Sequence, residues 1–117
     1  MKTWVLILAA IVVAAMIYSL TGSQLVTADQ AKELIRRGAT VVDVRTDIEW
    51  NLGHHPKAVH IPLADMPHQA QLKKKDDVIV VYCNSGQRAR SGAESLRAQG
   101  FTRTYYIATT YLSLIDE

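Results

Sequence analysis

The cysteine at position 83 has the clearest potential for chemistry in this chain. It follows an apolar run and opens a short polar loop, Cys83, Asn84, Ser85, Gly86, Gln87 and Arg88. Backbone N–H groups in such a loop, and the start of a following helix, supply partial positive charge to an anion. Gly86 permits conformations closed to other residues, and Arg88 adds a permanent cation. Because the thiolate is the nucleophilic form of cysteine, the pattern predicts a nucleophile at Cys83.

Cys83 is also the only cysteine, which limits the other roles it could have. A single cysteine forms no intramolecular disulfide, and no neighbouring cysteine or histidine cluster has the spacing of a zinc site. The four histidines, His54, His55, His60 and His68, do not form a metal-binding pattern either, and solvated or turn-capping roles fit them better. The sequence therefore predicts no metal and leaves either a nucleophile or an inert buried thiol.

The charge distribution argues against nucleic-acid binding. The 117 residues carry 13 basic and 11 acidic side chains, a formal net charge of +2. The basic residues are scattered apart from residues 73–75, which Asp76 and Asp77 follow at once, as at a solvated helix end. We therefore expect no nucleic-acid partner.

The elements that must position Cys83 can be predicted from periodicity. Apolar, β-branched runs predict strands at 40–44, 58–61, 78–82 and 103–107. Helices are predicted at 27–37, 65–72, 88–99 and 111–115, and a further short helix is predicted to begin directly after Thr46. The pairs Thr27 with Gln30 and Thr46 with Glu49 are capping boxes. This alternation predicts an α/β fold, a small mostly parallel sheet with helices on both faces. Ligands bind beyond the carboxyl ends of such strands, and Cys83 lies there.

The N-terminal residues differ from the rest. Residues 4–20 carry no charge, and a helix of that length just reaches across a bilayer core of roughly 30 Å. Trp4 and Tyr18 lie near its ends, where aromatic residues prefer the membrane interface. We predict a single-pass transmembrane anchor and linker at 1–23 and a catalytic domain at 24–117. A cleaved signal sequence and a buried core helix are the alternatives.

The side of the membrane is weakly determined. Lys2 and the amino terminus favour an inside N-terminus, whereas Lys32, Arg36 and Arg37 favour the opposite orientation. We expect a cytoplasmic domain, with a periplasmic or exported domain as the alternative.

Four ordered segments resemble the rhodanese family. Residues 83–88 resemble its active-site loop, Cys-x-x-Gly-x-Arg. Residues 43–45 with 49–50 resemble its Asp-Val-Arg…Glu-aromatic segment, and residues 53–58 with 61–63 its Gly-His-Ile-Pro-Gly-Ala…Ile-Pro-Leu segment. Residues 96–101 match the end of its post-loop helix. The resemblance covers nearly all of 27–114 and is far more specific than the loop alone.

The resemblance implies a sulfurtransferase. Cys83 would take sulfane sulfur from a donor such as thiosulfate, become a persulfide, and pass the sulfur to cyanide or a cellular thiol. Backbone amides of Asn84, Ser85, Gly86, Gln87 and Arg88 would cradle the persulfide, and Arg88 would help bind the anionic donor. No metal or organic cofactor is needed.

Asp43 and Arg45 are supporting residues in this interpretation. Both lie at the end of the first predicted strand, beside the predicted site. We expect Arg45 to pair with Glu49 and Asp43 to accept hydrogen bonds from nearby loop backbone.

Two segments depart from the family pattern. His55 and Lys57 stand where the family has Ile and Gly, and a lysine with positive φ would cost about 1 kcal/mol or more. Residues 108–111 read Ala-Thr-Thr-Tyr, where the family has Ala-Gly-Gly-aromatic. The stiffer Thr109 and Thr110 are expected to narrow the pocket, alter acceptor choice or reduce turnover.

Three other functions remain open at this stage. A membrane-tethered, non-catalytic rhodanese-like binding module would explain the altered segment at Thr109 and Thr110. A phosphatase or arsenate reductase is disfavoured, because related enzymes of this fold place the arginine six residues after the cysteine, where this chain has Ala89. A thiol redox sensor would need an external thiol to resolve an oxidised Cys83.

Overall fold

The computed structural model describes residues 2–21, 24–68, 72 and 74–115. Its α-helices are α1 (Lys2–Thr21), α2 (Ala28–Arg36), α3 (Asp47–Asn51) and α4 (Gln87–Ala98). Its strands are β1 (Thr40–Asp43), β2 (Ala58–His60), β3 (Ile79–Tyr82) and β4 (Thr104–Tyr106). Two short 3-10 helices, η1 (Leu63–His68) and η2 (Tyr111–Leu114), complete the elements.

The four strands form one parallel sheet in the order β2-β1-β3-β4. In the central pair, Val41 lies opposite Val80 and Asp43 lies opposite Tyr82. Every residue of β3 is buried, as expected of a strand covered on both faces. The predicted α/β architecture is confirmed.

Side chains of β1 and β3 alternate between two apolar cores, because successive residues of a strand point to opposite faces. One core contains Val42, Val44, Ile79 and Val81 with Ala89, Ala93, Leu96 and Phe101 from α4 and the loop after it. The other contains Val41, Val80 and Tyr82 with Ala31 and Ile35 of α2 and Leu114 of η2. Full burial of each large aliphatic side chain contributes about 1.5–3 kcal/mol. These cores fix the ends of β1 and β3, where the candidate site lies.

Both predicted capping boxes are present. At α2 the Thr27 hydroxyl accepts from the Gln30 amide at 3.1 Å, and the Gln30 side chain accepts from the Thr27 amide at 2.9 Å. At α3 the Thr46 and Glu49 pair does the same, at 3.3 and 3.2 Å. Each box satisfies backbone donors that the first helical turn leaves unpaired.

Two predicted helices differ in type from the structure. The segment predicted at 65–72 is η1, which begins earlier, at Leu63, and ends at His68; residues 69–71 lie outside the described residues. A proline at 67 disfavours the α conformation at Met66 and donates no backbone bond, so a longer α-helix is not expected there. The helix predicted at 111–115 is η2.

The predicted membrane anchor requires a correction. Helix α1 includes the predicted segment, but among the described residues no helix has both the length and the apolarity needed to cross a membrane. Between the polar residues Thr3 and Ser19, the apolar run at 4–18 extends about 22 Å at 1.5 Å per residue, less than a hydrocarbon core of roughly 30 Å. The predicted transmembrane helix and single-pass localisation are therefore wrong, and the predicted membrane contact through residues 4–20 is left without support.

A glycine allows α4 to pack closely against the sheet. A Cβ atom at Gly92 would lie 3.0 Å from Cγ1 of Val44 and 3.4 Å from Cε of Met66. The residue before it, Ser91, is exposed on the same helix. The distance between α4 and the end of β1 therefore depends on the absence of a side chain at position 92.

We expect Gly92→Val to destabilise the protein by about 1–3 kcal/mol, because the added side chain overpacks a filled core. Urea unfolding followed by circular dichroism measures the change. Ser91→Val is the matched control, since it places the same residue on the exposed face of the same helix. Equal stability of the two variants would contradict close packing at Gly92.

Candidate active site

The sulfur of Cys83 lies at the carboxyl end of β3 and is fully buried. Two backbone amides donate to it, that of Gly86 at 3.1 Å and that of Ala89 at 3.3 Å. N–H groups aimed at one sulfur atom stabilise negative charge there without any side-chain partner. The arrangement suits a thiolate or a persulfide anion.

Gly86 gives the loop its shape. It is the N-cap residue of α4 and has a left-handed φ of +98°. A Cβ atom at this position would lie 2.9 Å from the Cα atom of Ala108. The loop therefore needs glycine for both its conformation and its contact with the segment after β4. This contact also places Ala108, the start of the segment that departs from the family pattern, directly against the Cys83 loop.

Arg88 and Asn84 are held by one carboxylate, that of Glu49. Arg88 donates through Nη1 to Oε1 of Glu49 at 2.6 Å and through Nη2 to Oε2 at 2.9 Å. Asn84 donates to Oε2 at 2.6 Å. The Arg88 hydrogen bonds hold the pKa of Glu49 at about 2, and Glu49 in turn raises the pKa of Arg88. Glu49 thus ties both sides of the Cys83 loop to the start of α3.

The partner of Arg45 differs from the expectation. Arg45 does not pair with Glu49 but with Asp43, through Nε at 3.1 Å and Nη2 at 2.8 Å. The backbone amide of Arg45 donates to Oδ1 of Asp43 at 2.8 Å, which confirms that this carboxylate accepts from nearby backbone. Arg45 also donates to the carbonyl oxygen of Gly53 at 2.6 Å. Both side chains are buried.

Tyr82, the residue before Cys83, joins this buried network. Its hydroxyl donates to Oδ2 of Asp43 at 2.6 Å and accepts from the backbone amide of His55 at 3.1 Å. Burial raises the pKa of Tyr82, so the hydroxyl keeps its proton. The network links the end of β3 to the loop between α3 and β2, and no group in it contacts the Cys83 sulfur through a hydrogen bond that the structure describes.

The histidines take structural positions. The rings of His54 and His60 stack on Trp50, with ring centroids 3.4 and 4.6 Å from it. His55 is buried, and burial together with the charge of Lys57 lowers its pKa. No cluster of metal-binding side chains occurs among the described residues; the His68 side chain lies outside them.

The two departures from the family pattern are accommodated. No non-glycine residue in the described part of the chain has positive φ, so Lys57 carries no left-handed strain and that expected cost is absent. The hydroxyls of Thr109 and Ser113 are 2.7 Å apart, and Ser113 donates to the carbonyl oxygen of Thr110 at 2.8 Å. These bonds order the turn before η2.

The predicted loop residues and Glu49 lie together, whereas Asp43 and Arg45 form a separate buried network beside them. The sequence interpretation missed the contact of Glu49 with Arg88. The signal for it was the capping box, which places Glu49 in the first turn of the helix that follows β1, the neighbour of β3. It also missed Tyr82, whose hydroxyl was the one polar group in an otherwise apolar strand.

Comparison with known proteins agrees with this geometry. The model of the Rhodanese-like domain matches residues 27–113. The thiosulfate sulfurtransferase GlpE of Pseudomonas syringae pv. syringae is 35% identical over 82 residues, which cover 68% of this chain and 74% of that protein. The chain spans a smaller share of three other curated relatives, 34%, 51% and 59% of their lengths. One of these three is the senescence-associated protein DIN1 of Raphanus sativus. It is 30% identical over 94 residues, which cover 70% of this chain and 51% of that protein.

Solved structures have the same fold. The human single-domain sulfurtransferase TSTD1 superposes with a TM-score of 0.69 at 24% identity, covering 79% of this chain and 95% of that one. A rhodanese-like domain protein from Staphylococcus aureus gives 0.67 at 27% identity, covering 80% and 92%. Because the family model matches residues 27–113, which are most of this chain, the chain belongs to the rhodanese-like domain family.

Proposed function

We propose that the protein is a sulfurtransferase that carries sulfane sulfur on Cys83. The observation that supports this most directly is the pair of backbone amides, of Gly86 and Ala89, that donate to the Cys83 sulfur. They stabilise a sulfur anion, and sulfur transfer demands this at every step. The names of relatives such as the thiosulfate sulfurtransferase GlpE support the same reaction class.

Thiosulfate is the donor that we propose. The Cys83 thiolate attacks the outer sulfur of thiosulfate, a new S–S bond forms, and the old S–S bond breaks with its electron pair leaving on sulfite. Cys83 then carries a persulfide, whose transferable sulfur lies about 2 Å beyond Sγ. Cyanide or a thiolate attacks that sulfur, and the bonding pair returns to the Cys83 thiolate. No external oxidant or reductant is needed in either step.

The loop residues divide this work between backbone and side chains. Amides of residues 84–88 cradle the persulfide, while the exposed side chains of Asn84, Ser85 and Gln87 line the approach. Arg88 acts at the rim, where its guanidinium is paired with Glu49. Asp43 and Arg45 support the loop indirectly, through Tyr82 and the backbone of Gly53.

We expect Cys83→Ser to abolish thiocyanate formation from thiosulfate and cyanide, because a hydroxyl forms no persulfide. The full chain is assayed with both substrates, and intact mass after thiosulfate alone shows the gain of one sulfur in the wild type only. Circular dichroism checks that both proteins are folded. A folded wild type that forms neither thiocyanate nor persulfide would contradict the proposal and favour a non-catalytic binding module.

We expect Gly86→Ala to lower thiocyanate formation by tenfold or more. An alanine there has both an unfavourable φ and a Cβ atom against Ala108, so the loop must shift and its amides no longer point at the sulfur. Gly38→Ala is the matched control: Gly38 has a similar φ of +101°, but its added Cβ meets nothing within 4 Å. That control should lose about 1 kcal/mol of stability and keep its activity. Equal activity of the two variants would contradict the role of loop shape.

A further inference from the structure

The guanidinium of Arg88 is not available as a free cation at the mouth of the Cys83 loop. Its Nη1 and Nη2 both donate to Glu49, at 2.6 and 2.9 Å. The side chains of Arg88 and Glu49 are 36% and 24% exposed, so the pair lies where solvent and the loop meet. Because the two charges cancel, an anion that approaches Cys83 meets a neutral pair in place of a lone arginine.

The carboxylate of Glu49 is also fixed independently of Arg88. It accepts from the Thr46 hydroxyl at 3.0 Å and from the Thr46 amide at 3.2 Å. Its pKa of about 2 keeps it ionised throughout the range in which a sulfurtransfer assay is run. The negative charge is therefore a permanent part of the rim.

We propose that Glu49 is a specificity-determining residue: by pairing with Arg88 it removes the advantage that a lone arginine would give to dianionic sulfur donors over donors of lower charge, such as monoanionic persulfides and thiosulfonates. This inference rests on the proposed sulfurtransferase function and deepens it by naming a substrate class. The physical reason is that Coulomb energy scales with the charge of the donor. An unpaired Arg88 would attract a dianion twice as strongly as a monoanion at the same distance, and Glu49 cancels both attractions, whereas the backbone amides at Cys83 hold the same single sulfur in both donors.

A matched pair of donors isolates the effect. Thiosulfate is a dianion and methanethiosulfonate is a monoanion. In both, the outer sulfur is bonded to a sulfur atom that carries oxygen atoms. In the first case the Cys83 thiolate takes the outer sulfur and sulfite leaves; in the second, methanesulfinate leaves with the same electron pair. Both leave the same Cys83 persulfide, and cyanide converts both to thiocyanate, so one readout serves for the two donors.

The variant is Glu49→Gln in the full chain, at low ionic strength to limit screening. Glutamine keeps the capping box of α3, as Gln30 does in α2 of this same chain. Glu94→Gln is the control: it removes one carboxylate that pairs with an exposed arginine, Arg90, on α4. Glu49→Asp retains the charge at the rim.

We expect Glu49→Gln to lower the KM for thiosulfate about tenfold and the KM for methanethiosulfonate about threefold. The monoanion has half the charge and therefore half the Coulomb energy, and half the energy of a tenfold effect is an effect of about threefold. The ratio of the two KM values should change less than twofold in Glu94→Gln and Glu49→Asp. A merely structural lock would move both KM values upward together when Glu49 is replaced.

The ratio of the KM for thiosulfate to the KM for methanethiosulfonate tests the inference. A fall of twofold or more in the thiosulfate-to-methanethiosulfonate KM ratio, specific to Glu49→Gln, supports the inference, and an unchanged or increased ratio overturns it. Absence of thiocyanate from either donor in the wild type would instead contradict the sulfurtransferase function itself.

Discussion

The parallel pairing of β1 with β3 is the constraint on which the site depends. It sets Asp43 opposite Tyr82, so the two strands end side by side. The chain after β1 can then turn into α3 and present Glu49 to the loop that follows β3. Burial of both strands between two apolar cores removes any freedom to slide, because a shift of one residue would exchange the two faces.

Two polar networks, one buried and one at the rim, divide the work at these strand ends. The buried one joins Asp43, Arg45 and Tyr82 and fixes the backbone around the site. Its charged groups are paired and hydrogen-bonded, as burial requires. The rim network joins Glu49, Arg88 and Asn84 and sets the electrostatic character of the entrance. Neither supplies a donor to the sulfur, a role that belongs to the main chain.

Much of this arrangement could be predicted from the sequence because its signals are local. The strand before Cys83, the two capping boxes and the glycine in the loop each depend on a few adjacent residues. The partner of Arg45 could not be predicted in this way: Asp43 and Glu49 are both within reach along the chain, and only the direction in which the guanidinium enters the core selects Asp43. The prediction of a transmembrane helix at residues 4–20 was wrong for another reason, since absence of charge alone does not give the length of apolar helix that a membrane requires.

The use of main-chain donors at Cys83 separates stabilisation of the sulfur anion, which the backbone provides, from recognition of the substrate, which the side chains of the rim provide. The amides of Gly86 and Ala89 belong to the main chain, and the side chains at positions 84, 85 and 87 are exposed. The rim can therefore accumulate substitutions that retune recognition while the sulfur-holding device is inherited unchanged. A loop of this design is a good starting point for divergence among paralogues, and for laboratory evolution toward new acceptors.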